Sequence, residues 1–166
     1  MIELTDEQLK AIAKYEKAIT KQRADAWAEA LEKYDKSGEA KTTLAKKIAQ
    51  AEMHNKIVAR PTMPQKPDFR LDSDVTKYIH KLKEQAEHGT EKAEQRAIYQ
   101  WSGSAKKAWG SEIAREVENL AKTNPSKFIE AVNSNILPPA KYVYFYQDKE
   151  EVENTLKDFY DFMQEE

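Results

Sequence analysis

The 166-residue chain contains no cysteine. That excludes a disulfide scaffold, a cysteine-ligated zinc or iron–sulfur centre, and a thiol nucleophile. Only four glycines and six prolines punctuate it, so long helices meet few interruptions. Three of the prolines fall in Arg60-Pro61-Thr62-Met63-Pro64-Gln65-Lys66-Pro67. Residues 61–71 are therefore expected to be a linker between a 1–60 unit and a 72–166 domain. No apolar run approaches the roughly 20 residues that a membrane-spanning helix needs, and no membrane partner is expected. The opening Met1-Ile2-Glu3-Leu4-Thr5-Asp6-Glu7 carries acids where a leader would carry bases, which favours a cytoplasmic location.

Charge is almost balanced, at -2 overall, but it is unevenly distributed. Residues 1–60 carry about +2, 61–89 none, 90–147 about +2 and 148–166 about -6. The acid is thus concentrated at the C-terminal end.

Thr5 followed by Gln8 has the spacing of a capping box, in which hydroxyl and side-chain amide each satisfy an orphan backbone N–H. Leu9, Ile12, Ile19, Trp27, Leu31 and Tyr34 then recur at helical steps, predicting one amphipathic helix over 6–36 with Ser37-Gly38 as its stop. Glu16 and Arg23 fall on the same seam and require polar partners. Leu44, Ile48, Ala51, Asn55 and Val58 predict a second helix over about 40–60, and the short turn between the two predicts an antiparallel hairpin.

Beyond the prolines, Asp72 or Ser73 can cap a helix carrying Val75, Tyr78, Ile79, Leu82 and Ala86, with Gly89 as its expected end and Thr90 opening the next. Ile98, Trp101, Ala105, Trp109, Ile113, Val117 and Leu120 continue a stripe to about residue 122, in which Gly103 and Gly110 are candidate break points and a kink is expected at Ser102-Gly103-Ser104. Asn124-Pro125 is a cap followed by an N1 proline, opening a helix with Phe128, Ile129 and Val132. Asp148 caps the last helix, which carries Val152, Leu156, Phe159 and Met163. Between these two, Tyr142-Val143-Tyr144-Phe145-Tyr146 is β-branched and aromatic and is expected to be extended. Its amides call for a ladder partner, either Ile2–Leu4 or another molecule, or else the segment lies as irregular chain across the helices. The fold class is all-α, with one short extended segment near 142–146.

Four patterns could carry chemistry. Ser37 to Leu44 imitates the end of a phosphate-binding loop, but Asp35 and Ala40 stand where that loop needs glycine. Ser104 and Lys107 could share a helical turn, yet the companion signatures of serine–lysine enzymes are absent. His80, Glu84 and His88 step by four on one face, as ligands of a divalent ion might, although two histidines eight residues apart lie about 12 Å apart along a helix axis. Solvated helix surface is the competing reading. Arg96, Lys106, Lys107 and Arg115, interleaved with Trp101 and Trp109, could neutralise phosphates and stack on bases. Against that, both indoles lie on the apolar stripe, and Glu112, Glu116 and Glu118 dilute the charge.

The C-terminal segment combines acids with more aromatic surface than one stripe can hide: Phe159, Tyr160 and Phe162 cannot all face inward. Glu153, Phe159, Tyr160, Asp161 and Phe162 are therefore the candidate partner-binding residues. With no convergent catalytic set, no cofactor and no metal site called for, the sequence reads as a non-catalytic adaptor or inhibitor. Another protein is its expected partner, and a homo-oligomer is also compatible. Small modulators carried by phages or other mobile elements have this size and composition. The alternatives are a nucleic-acid-associated protein using 96–127 and, more remotely, a metal-dependent enzyme.

Overall fold

The computed structural model describes residues 2–34, 44 and 55–165. Among them the architecture is all-α, with no strand. Five α-helices have defined bounds among the described residues: α1 (Asp6–Tyr34), α2 (Asp72–Trp109), α3 (Ser111–Thr123), α4 (Pro125–Asn133) and α5 (Lys149–Gln164). A 3-10 helix (Ala140–Phe145) precedes α5. No described helix is long and apolar enough to cross a membrane.

The chain divides into two compact units, Met1–Glu29 with Val58–Ala93, and Ala30–Ile57 with Glu94–Glu166. The first is built on α1 and the N-terminal half of α2. The capping box forms as its spacing requires: the Thr5 N–H donates to Gln8 Oε1 at 2.9 Å and the Gln8 N–H to Thr5 Oγ1 at 3.1 Å. Ile12 and Ile19 are buried with Phe69, Val75, Tyr78 and Leu82, and Ile2, Leu4, Tyr15, Ile79 and Ala86 pack against them. Leu9, on the same stripe, is half exposed.

Both charged seam residues find polar partners. Tyr78 donates its hydroxyl to Glu16 Oε1 at 2.9 Å, and Arg23 donates to the Pro61 carbonyl. Gln22 also donates to the Ala86 carbonyl at 2.8 Å. Because the partners advance together, 16 with 78 and 22 with 86, α1 and α2 run in the same direction here. The proline-rich segment is part of this unit: Pro61 and Phe69 are buried, and the Ile2 N–H donates to the Phe69 carbonyl at 3.0 Å.

In the second unit, α3, α4 and α5 assemble with the C-terminal part of α2 around Ile98, Trp101, Val117, Phe128, Val132, Leu137, Val143 and Phe159. Trp109, Trp101, Phe128 and Phe159 form a relay of edge-to-face rings with centroids 5.7, 5.9 and 6.3 Å apart, a geometry that the ring quadrupoles favour. The caps are those the sequence predicts. The Asn124 side chain accepts from the Lys127 N–H at 3.2 Å ahead of Pro125, and Asp148 accepts from the Glu150 N–H at 3.0 Å.

Several expectations are corrected. Gly89 does not end a helix and Thr90 does not begin one, because α2 runs unbroken from Asp72 to Trp109. Gly89 is buried where a Cβ would meet Pro61, so it serves a close approach. The helix continues through Ser102-Gly103-Ser104, and of the two glycines expected to mark a break it is Gly110 that does so, with a φ of 101° outside the helical region. Residues 142–146 are not an extended segment. Pro138-Pro139 starts the chain into a 3-10 turn, with Tyr142 N–H to Pro139 O at 2.8 Å and Tyr146 N–H to Val143 O at 3.1 Å, so its amides need no ladder partner. The expected second helix does not reach residue 60, since 55–60 are turn and irregular chain. The rest of that helix apart from helical Leu44, the stop at Ser37-Gly38 and hence the expected hairpin lie outside the described residues.

Candidate interaction surface

The most exposed aromatic surface is the 3-10 helix. Tyr142, Tyr144 and Phe145 are exposed, Phe145 at 77%, while Val143 between them is fully buried. A 3-10 turn brings side chains three apart to one side, so Tyr142 and Phe145 form a pair with centroids 6.1 Å apart. Lys141 lies over the Tyr142 ring at 5.3 Å.

Two indoles hold this aromatic tip at its ends. Trp101 Nε1 donates to the Pro138 carbonyl at 2.7 Å, and Trp109 Nε1 donates to the Tyr146 carbonyl at 2.6 Å. Each satisfies a donor that would be costly to bury unpaired. Val143 provides the apolar anchor below, so the segment is fixed while its rings face outward.

Next to the tip is a groove of about 270 Å³ lined by Trp109 and Ala108 of α2, Ile113 of α3, Gln147, and Lys149, Val152, Glu153 and Leu156 of α5. Trp109 and Glu153, singled out by the sequence for different partners, meet in this one groove.

The other predicted partner-binding residues are placed on or beneath α5. Phe159 is fully buried and offers no ring to a partner. Tyr160 is half-buried and donates to Glu116 Oε2 at 3.1 Å; burial, and then that carboxylate, raises its hydroxyl pKa above the ordinary value. Phe162 is half-buried under Lys127, whose amine lies 5.1 Å from the ring. Asp161 and Glu153 are exposed. The surplus aromatic surface of α5 is thus largely taken up within its own unit. The exposed rings at 142–145 were legible in the sequence as aromatic content, but not as surface.

The basic candidates Arg96, Lys106, Lys107 and Arg115 are all exposed. Arg96 and Lys107, eleven residues apart on α2, share a helix face and lie about 16 Å apart along it. Trp101 is buried and offers no stacking face, whereas Trp109 is half-buried with its N–H committed to Tyr146. Tyr99 is exposed, with Lys122 over its ring at 5.5 Å.

In the first unit, His80, Glu84, Gln85, Lys92, Lys81, Thr62 and Pro64 line a shallow hollow. Glu84 accepts from Lys92 at 3.0 Å; that hydrogen bond and the lysine charge lower its carboxylate pKa. His88 faces Glu87 and Glu91 at 4.0 and 3.9 Å. Among the described residues no group of three or more histidine, aspartate or glutamate side chains could hold a metal ion. Ser104 and Lys107 lie on unbroken helix, and the loop-like Ser37 to Thr43 lies outside the described residues.

No family model, curated protein or solved structure matches this chain.

Proposed function

We propose that this protein is a non-catalytic interaction protein, an adaptor or inhibitor, that acts by binding another protein through the aromatic tip at Tyr142, Tyr144 and Phe145. The observation that carries the reading is the pinning of that tip by Trp101 and Trp109. A segment fixed at both ends and anchored by Val143 loses little conformational freedom on binding. Fixed, exposed aromatic rings are the side chains on which protein interfaces most often depend. Leaving three such rings in water is otherwise unfavourable, by about 25 cal/mol per Å² of apolar surface.

The neighbouring charge favours a protein over a polyanion. Residues 148–166 hold eight acids against two lysines, and they repel phosphate from this side of the second unit. The basic stripe of Arg96 and Lys107 supports the nucleic-acid alternative, since among the described residues neither has a carboxylate within 4.0 Å. That alternative requires retention of DNA or RNA that weakens steeply with salt.

The test is affinity capture with the intact protein and with a Tyr144→Ser/Phe145→Ser variant whose circular dichroism and melting match it. A protein retained by the intact chain and lost by the variant supports the reading. Equal retention by both, or salt-sensitive retention of nucleic acid alone, removes it.

A further inference from the structure

Resting on the reading above, we infer that the groove beside the aromatic tip takes a basic amphipathic segment of the partner protein. Its aliphatic side chains would enter between Trp109, Ile113, Val152 and Leu156, and its lysines or arginines would face the carboxylates around the groove.

The lining supplies the apolar half of this recognition. Ile113 is half-buried, and Val152 and Leu156 are nearly covered by their own unit, so they form a floor that aliphatic side chains can extend. Trp109 also lines it and is held in place by its bond to Tyr146. The cleft lies between helices, and its lining side chains are set by the unit's own packing. A segment with aliphatic residues at helical spacing, i, i+3, i+4 and i+7, matches such a groove.

The surrounding charge selects its sign. Glu153 lines the groove, and Glu112 precedes Ile113 on α3. Glu150 is also exposed on α5, whereas Glu151 and Asp158, exposed too, lie on the face of that helix turned away from Val152, Glu153 and Leu156. Among the described residues, none of these carboxylates has a lysine, arginine or histidine nitrogen within 4.0 Å. Lys149, which lines the groove beside Glu153, and Lys157 are the only bases on α5. A basic segment therefore meets complementary charge, whereas an acidic one, a nucleic acid or an anionic bilayer meets repulsion. The aromatic tip borders the same face, so one partner can cover both.

The probe is an 18-residue labelled peptide of leucine and lysine with its leucines on one helical face. Three controls accompany it: a scrambled peptide of the same composition, a leucine and glutamate peptide of the same pattern, and anionic phospholipid vesicles. Anisotropy with the full chain is expected to show the patterned basic peptide binding at least about tenfold tighter than either peptide control, with affinity falling as salt rises. Amide-exchange protection is expected at 108–113 and 147–156. Glu112→Lys/Glu153→Lys should weaken binding about tenfold. Glu29→Lys/Glu32→Lys, an equal change of net charge at exposed acids elsewhere, should leave it unchanged.

Absence of binding, equal binding of the scrambled or acidic peptide, protection elsewhere, equal loss in both variants, or preference for vesicles would overturn the inference. Capture through the aromatic tip is a separate outcome. A partner lost with Tyr144→Ser/Phe145→Ser, alongside an empty groove, leaves the interaction reading standing while the groove assignment fails.

Discussion

Trp109 gives its indole N–H to the carbonyl oxygen of Tyr146 at 2.6 Å, which fixes the exit of the 3-10 helix against the end of α2. Trp109→Phe keeps an aromatic ring beside Trp101 but removes the donor. It is expected to cost about 1–3 kcal/mol and to speed amide exchange at 142–146 without altering exchange in α1. Denaturant unfolding and exchange mass spectrometry measure the two effects. Unchanged exchange at 142–146 would show that Val143 and the Trp101–Pro138 bond hold the tip without Trp109.

Tyr78 ties pH to stability in the first unit. Burial, and then its bond to Glu16, push its hydroxyl pKa up from 10.0 to about 12. The folded state keeps this proton where the unfolded chain releases it, so the unfolded state binds fewer protons over that interval. The contribution is therefore complete below pH 10 and is lost as pH rises from about 10 through 12. Tyr78→Phe should lower stability by about 1 kcal/mol at neutral pH and flatten this part of the alkaline slope. Melting temperatures at pH 7, 10 and 11.5 decide it; an unchanged slope contradicts the assignment.

Two glycines within one helix should respond oppositely to alanine. At Gly103 a Cβ meets nothing within 4 Å, so Gly103→Ala is expected to stabilise by about 0.5–1 kcal/mol through helix propensity. At Gly89 a Cβ would press on Pro61, with its Cα only 2.8 Å away. Gly89→Ala is expected to destabilise despite the same propensity gain. Thermal melts of the two variants settle the sign.

What the sequence made legible, and what it did not, follows from the range of each interaction. The Thr5/Gln8, Asn124 and Asp148 caps act over two or three residues and were readable. So was the need of Glu16 and Arg23 for polar partners, because periodicity places them on a buried seam. The identity of those partners, Tyr78 and the Pro61 carbonyl, depends on packing more than 30 residues away. Gly89 was misread as a stop for the same reason, since its purpose is a contact with Pro61 that no local pattern encodes. The β-like composition of 142–146 lost to the turn set by Pro138-Pro139 and to the two indoles.

The candidate surface divides likewise. The acidity of α5 and the excess of aromatic rings were plain, but which rings stay outside was decided in three dimensions. Phe159 joins the Phe128 relay, Tyr160 reaches Glu116, Phe162 lies under Lys127, and exposure passes to Tyr144 and Phe145. Asn133, which no sequence pattern singled out, is buried and pairs with both backbone groups of Ile57, accepting from its N–H at 2.7 Å and donating to its carbonyl at 2.9 Å.

The central claim is that the pinned aromatic tip meets another protein. Its most direct measurement replaces Phe145 with a photoreactive phenylalanine analogue in the full chain and irradiates it in native lysate. The account predicts a discrete adduct with a second, different protein that disappears when Tyr144→Ser is added. No adduct, or adducts only with copies of this chain or with nucleic acid, would contradict it.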